Sequence, residues 1–205
     1  GVIVPSFTFA ASAEVMPVLG AVPVFAEVDP VTFNLDPASL PAAMAAARES
    51  GIEPVGIIGV GLFGQPADYA SIGAFAEAEG LWVVDDAAQS FGASLNNMPV
   101  GQLADITCTS FFPAKPLGCY GDGGAVFVDD DAKAELMRSC RVHGMGKNKY
   151  ENIRIGMTAR LDTLQAAVLD AKLDIFEDEL DRRQTVADHY EALLDGIAVP
   201  PRLAA

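Results

Sequence analysis

Apolar runs of strand length recur along the first two thirds of the chain, at 2–5, 23–28, 55–62, 81–86, 106–112 and 125–128. Several are continuous rather than alternating, which predicts strands covered on both faces. Helical patterns fall between them. The Ala-rich stretch 37–49 opens with Asp36 as N-cap ahead of Pro37 at the first helical position. Stretches 69–79 and 131–140 follow the same logic. Strands alternating with helices predict an α/β fold, a mostly parallel sheet sandwiched by helices.

Beyond residue 160 the pattern changes. Leu161, Leu164, Val168, Ala171, Ile175 and Leu180 recur at helical spacing with charged residues between them, until Gly196 and Pro200 stop the pattern. The expected organisation is a main domain over 1–159, one long helix over 160–195, and the start of a smaller domain at 196–205. The opening residues, Gly1-Val2-Ile3-Val4-Pro5, read as a strand entered midway rather than a signal peptide.

Charge adds a second layer. The net charge is −15, which argues against a nucleic-acid partner. Residues 1–100 carry one basic residue, Arg48, whereas 138–160 hold Arg138, Arg141, Lys147, Lys149, Arg154 and Arg160 against one acid, Glu151. A basic island in an acidic chain is a candidate site for phosphate or diphosphate, with a solvated loop as the plain alternative. No apolar run is long enough to span a membrane. Cys108, Cys119 and Cys140 are odd in number and lack metal-ligand spacing, as suits small buried side chains in a reducing cytosol. His143 and His189 have no partners at metal spacing either.

The most informative residue is Lys115, the first basic residue after Arg48, set between Pro113-Ala114 and a Gly-rich turn. An amine held in such a loop suits Schiff-base chemistry, although the residue alone equally fits a phosphate binder or an ordinary loop lysine. Asp86 ends the apolar run 81–86, and carboxyl ends of parallel strands are where such sheets bind ligands. Asp85 beside it should point to the opposite face.

Five blocks carry a resemblance. Val4-Pro-Ser-Phe-Thr-Phe9, Gly64-Gln-Pro-Ala-Asp68, Asp86-Ala-Ala-Gln89, the stretch 110–124 around Lys115, and Gly156-Met-Thr-Ala-Arg-Leu-Asp-Thr-Leu-Gln-Ala-Ala167 follow one another in the order and spacing of the nucleotide-sugar aminotransferases of DegT/StrS type. These are fold type I enzymes that use pyridoxal 5'-phosphate (PLP). The family's chains are roughly twice this length, so the resemblance implies a large PLP-binding domain incomplete at both ends.

The resemblance implies roles for individual residues. Lys115 would hold PLP as an imine and move the proton during amino transfer, and members without the lysine dehydrate sugars instead. Asp86 would partner the pyridine nitrogen, and Gln89 the 3-hydroxyl. Phe9 would stack on the ring. Ser110 would bind the phosphate, and Arg160 would reach the neighbouring subunit's cofactor phosphate in a homodimer. Where the family more often has Gly-x-Asn-Ser-Arg, this chain has Gly156-Met157-Thr158-Ala159-Arg160, which removes the asparagine that makes the cross-subunit contact. The implied reaction moves an amino group from glutamate to a keto sugar linked to a nucleoside diphosphate, for cell-surface polysaccharide or glycan synthesis in the cytoplasm. The Lys115 and Leu161 segments look closest to enzymes acting on UDP-linked 3-keto-glucuronic acid derivatives. The alternative is a non-catalytic PLP or sugar-nucleotide binding protein, or a regulator, of the same fold.

Overall fold

The computed structural model describes residues 1–148 and 150–197. Lys149 of the basic island and nearly all of the expected second-domain segment 196–205 lie outside the described residues. Six strands form one sheet in the order β2-β1-β3-β4-β7-β8, with β1 (Val2–Pro5), β2 (Pro23–Ala26), β3 (Gly56–Val60), β4 (Trp82–Asp86), β7 (Ile106–Ser110) and β8 (Gly124–Phe127). The first five are mutually parallel; β8 runs antiparallel to β7 at one edge. The chain steps from β1 to β2 on one side and then to β3 on the other, so the order reverses at β1 and β3. In open parallel sheets that reversal opens a crevice at the carboxyl ends of the strands. A two-stranded hairpin, β5 (Ser94–Leu95) with β6 (Met98–Pro99), stands apart from the sheet.

Alternation along the strands sends side chains to two cores. On one face Ile3, Ile57 and Val83 pack with Leu40, Ala43, Met44 and Ala47 of α2 (Leu40–Glu49) and Tyr69, Ile72 and Ala76 of α3 (Tyr69–Glu79). On the other, Val2, Val4, Ile58 and Val60 pack under Met16 of α1 (Ala11–Val18). At the β8 edge of this second face, Ala134 and Met137 of α4 (Asp131–Cys140) line a cavity with Cys108 and Val126.

The capping predicted at Asp36 is present, its Oδ1 accepting from Ala38 N at 3.0 Å. The segment behind it begins as a single 3-10 turn at Pro37–Ser39 before becoming α2. Where periodicity predicts one long helix over 160–195, the chain forms two, α5 (Thr163–Leu173) and α6 (Phe176–Leu193). The break at Asp174 and Ile175 redirects the chain so that Leu169 of α5 and Phe176 of α6 both enter a third core with Phe111, Leu117 and Cys119. Burying Phe176 there, stacked on Phe91 at 5.8 Å, outweighs continuing one straight helix.

Candidate active site

Loops at the carboxyl ends of β1, β4 and β7 close on a cavity of about 610 Å³. Its wall is largely apolar, supplied by Val2, Ile58, Val60 and Val84 of the sheet and Met16 of α1. Five of the six predicted residues line it: Phe9, Asp86, Gln89, Ser110 and Lys115. The ammonium of Lys115 sits 5.9 Å from the centroid of the Phe9 ring, a cation–π distance, and Phe9 is 67% exposed on the cavity side of the loop.

Asp86 is held at both oxygens. Ser12 Oγ donates to Oδ2 at 2.7 Å, and the backbone N–H of Ala88 donates to Oδ1 at 3.1 Å. Ser12 is itself 5% exposed and lies 3.2 Å from the hydroxyl of Thr8. Among the described residues no lysine or arginine forms an ion pair with Asp86, and no carboxylate pairs with Lys115. The cavity therefore carries an anion and a cation on its wall, each without a protein counter-ion.

Asp85, one residue earlier, faces the opposite core and is wholly buried. Tyr69 Oη donates to its Oδ1 at 2.5 Å, and Thr107 Oγ1 to its Oδ2 at 3.3 Å. Burial pushes its carboxyl up to about 6, with the two hydrogen bonds opposing and the neighbouring Asp86 charge adding. The Tyr69 phenol is raised well above its usual range, by burial first and then by the Asp85 charge. On the cavity face, burial and then the charges of Asp86 and Asp85 push the Cys108 thiol up to about 11, so it stays protonated and is no nucleophile at neutral pH.

Gln89 has one end committed. Its Oε1 accepts from Phe63 N at 2.9 Å, which leaves the amide NH₂ as a donor on the cavity wall. Phe63 has a left-handed backbone (φ 56°), and buried Asn34 fixes the loop around it: its Oδ1 accepts from Leu62 N and its Nδ2 donates to the carbonyls of Gln65 and Pro66. The hydroxyl of Ser110 accepts from Phe112 N at 3.2 Å.

Arg160 is not brought to this cavity. It is exposed and lines the neighbouring 650 Å³ cavity with Arg138 and Arg141, which meets the first at Cys108 and Thr109. Thr158, at the place of the missing asparagine, binds the ring Nε2 of His143 at 2.7 Å.

Two sets of residues contribute that no local signal marks. One is Ser12, 74 positions from its partner Asp86. The other grips the lysine loop from α5 and α6: Lys172 Nζ donates to Gly118 O, Arg183 to Pro116 O at 3.2 Å, and Gln165 Oε1 accepts from Tyr120 N at 2.8 Å. The loop doubles back so tightly that a Cβ on Gly118 would lie 2.6 Å from the carbonyl oxygen of Pro113 and 2.8 Å from that of Phe112. Both are backbone atoms and cannot swing aside. Gly118→Ala is expected to shift the loop at a cost of about 1–3 kcal/mol, seen as a lower urea midpoint with the far-ultraviolet circular dichroism of the native state unchanged.

A lysine and an unpaired strand-end carboxylate across one apolar cavity, on a mostly parallel sheet, define the large-domain architecture of PLP-dependent transferases. Residues 1–204 match the DegT/DnrJ/EryC1/StrS aminotransferase family, and the chain belongs to it. It is 48% identical over 198 residues to the UDP-2-acetamido-2-deoxy-3-oxo-D-glucuronate aminotransferase of Pseudomonas aeruginosa, covering 97% of this chain and 53% of that protein. The crystal structure of a DegT DnrJ EryC1 StrS aminotransferase from Brucella abortus superposes with a TM-score of 0.96 at 50% identity, over 100% of this chain and 55% of that one. NtdA of Bacillus subtilis, solved with bound cofactor PMP, has a TM-score of 0.83 at 30% identity, over 96% of this chain and 43% of its own. The chain thus spans about half the length of the curated relatives it matches.

The family's aminotransferases depend on PLP, and the residues here fit that cofactor. The unpaired carboxylate of Asp86 asks for a cation that a pyridinium supplies, the free amide NH₂ of Gln89 for an acceptor, and the amine of Lys115 for a carbonyl carbon. Among the described residues no cluster of His, Cys, Asp and Glu could hold a metal ion, and no helix is long and apolar enough to cross a membrane.

Proposed function

We propose that the complete protein transfers an amino group from glutamate to the keto sugar of a nucleoside-diphosphate sugar, in the cytoplasm, as a homodimer. The observation that carries this reading is the pair of unpartnered charges, Lys115 and Asp86, on one cavity at the carboxyl ends of the parallel strands. PLP supplies an electron sink that stabilises negative charge at the carbon bearing the amine.

The chain's own groups would do the rest. Lys115 would hold the cofactor through its aldehyde carbon, with water leaving, and its amine would carry a proton to and from the substrate carbon. Asp86, fixed by Ser12 and Ala88 N, would keep the ring nitrogen protonated. Gln89 would donate to the 3-hydroxyl, Phe9 would cover one face of the ring, and Ser110 would bind the phosphate. Arg160, with Arg138 and Arg141 beside it, faces outward where a second subunit's phosphate could be met. A UDP-linked uronic acid derivative is the favoured substrate, because the relative at 48% identity is named for one, and cell-surface polysaccharide synthesis is the use proposed for the product.

The test is spectroscopic. The complete protein with PLP should show a visible cofactor band that borohydride abolishes, with the label recovered on Lys115, and should aminate a UDP-linked 3-keto sugar from glutamate. A protein that takes up no PLP, or carries the label on another lysine, would overturn the reading.

A further inference from the structure

The Asp86 carboxylate is fixed at both oxygens by donors of the chain itself. One of the two donors is a side chain. Ser12 Oγ reaches Oδ2 at 2.7 Å from the first turn of α1, where the residue is 5% exposed. A serine in a helix commonly turns its hydroxyl onto its own backbone. This one instead crosses from α1 to the end of β4, 74 positions away. Its own orientation is constrained in turn, because Thr8 Oγ1 lies 3.2 Å from Ser12 Oγ. Both Thr8 and Ser12 line the cavity that Lys115 and Phe9 line. With its hydrogen donated to Asp86, Ser12 has only acceptor capacity left for Thr8, so the sense of the chain is set: Thr8 donates to Ser12, and Ser12 donates to Asp86.

We infer that Ser12, backed by Thr8, is a positioning residue that fixes the plane of the Asp86 carboxylate and so the orientation of a pyridine ring bound against it. The inference rests on the cofactor role proposed for Asp86. The chain Thr8–Ser12–Asp86 ties the loop after β1, which also carries Phe9, to the strand end that carries the carboxylate. The group covering the ring face and the group meeting its nitrogen therefore move together. Charge-assisted bonds of this length are the strong ones, and Ser12 makes this one from a buried position.

The experiment uses the complete protein and its Ser12→Ala, Ser12→Thr and Thr8→Val variants, titrated with PLP by fluorescence and scanned for visible circular dichroism of the bound cofactor. That dichroism reports how rigidly the ring is oriented, which a merely structural role of Ser12 would leave unchanged. The expected result is about a tenfold rise in Kd for Ser12→Ala, the ratio that follows from losing one hydrogen bond to a charged group, together with a reduced dichroic band. Ser12→Thr should restore both, and Thr8→Val should fall between. Ser12→Ala protein that binds PLP as wild type does, with an unchanged dichroic band, would overturn the inference while leaving the cofactor assignment intact. Wild-type protein that binds no PLP would overturn both. Should Ser12→Ala prove poorly folded, Thr8→Val decides, since a wild-type band there removes the second link of the chain.

Discussion

Replacing Lys115 by alanine is expected to lower amino transfer by on the order of 10³-fold or more, because one substitution removes both the covalent anchor and the proton carrier. Binding should suffer far less than turnover. Asp86, Gln89, Ser110 and Phe9 keep their places on the cavity wall, and their hydrogen bonds to Ser12, Ala88, Phe63 and Phe112 do not run through the lysine side chain. The variant should therefore still bind PLP, without a band that borohydride removes. Stopped-flow or end-point assay of glutamate conversion to the keto acid measures the loss. A variant retaining a tenth of wild-type turnover would show that some other amine does the chemistry. Lys172, which grips the same loop, is occupied with Gly118 O, lies 5.4 Å from the Tyr120 ring and does not line the cavity.

The second large effect concerns stability and its dependence on pH. Asp85 is wholly buried, and its folded-state value is raised to about 6 from an ordinary carboxylate value near 3.8. A raised acid favours the native state when protonated. Its contribution is therefore best below about pH 4 and is lost progressively as pH rises through about 6, where the folded protein must ionise the group inside the core. A shift of this size corresponds to about 3 kcal/mol at pH 7 and above. Asp85→Asn keeps an oxygen for Tyr69 and removes the charge. It is expected to be more stable than wild type by about 2–3 kcal/mol at pH 8, with the gap roughly halved at pH 5 and closed below about pH 4. Urea denaturation at the two pH values measures this. A gap independent of pH would show that Asp85 does not titrate in the native state over that range. The amine-transfer chemistry should be largely spared, since Asp85 faces the α2–α3 core and Asp86 faces the cavity.

Sequence legibility followed how local the determining physics is. Helices α3 and α4 match the expected ranges to the residue, because their ends are written next to them. Asp68 accepts from Ser71 N, Gly80 takes the left-handed conformation at φ 69°, and Asp130 accepts from Ala132 N and Lys133 N. The parallel strands were legible as continuous apolar runs, and the alternation of Asp85 and Asp86 followed from strand geometry. Helix α1 escaped notice: Pro17 sits inside it, and its eight residues are apolar nearly all round, so no polar face marks a period. The β5–β6 hairpin also escaped, with strands two residues long joined through Asn96 and Asn97, both at positive φ. The apolar period runs unbroken across Asp174 and Ile175, so the helix break there depends on where Phe176 must go, which no local window contains. Among site residues, Lys115 and Asp86 were identified through family resemblance laid over local chemistry. Ser12 was not, because its partner is remote in the chain.

The grip of α5 and α6 on the lysine loop has a bearing on how the protein matures. The carbonyls of Gly118 and Pro116 are secured by side chains 54 and 67 positions later in the chain. Contacts so distant in sequence form after local ones, since a long stretch must first be closed into a ring. On the ribosome, a nascent polypeptide would display most of its sheet before its Lys115 loop could be secured. Under the role proposed for Lys115, uptake of the cofactor would then come late in assembly.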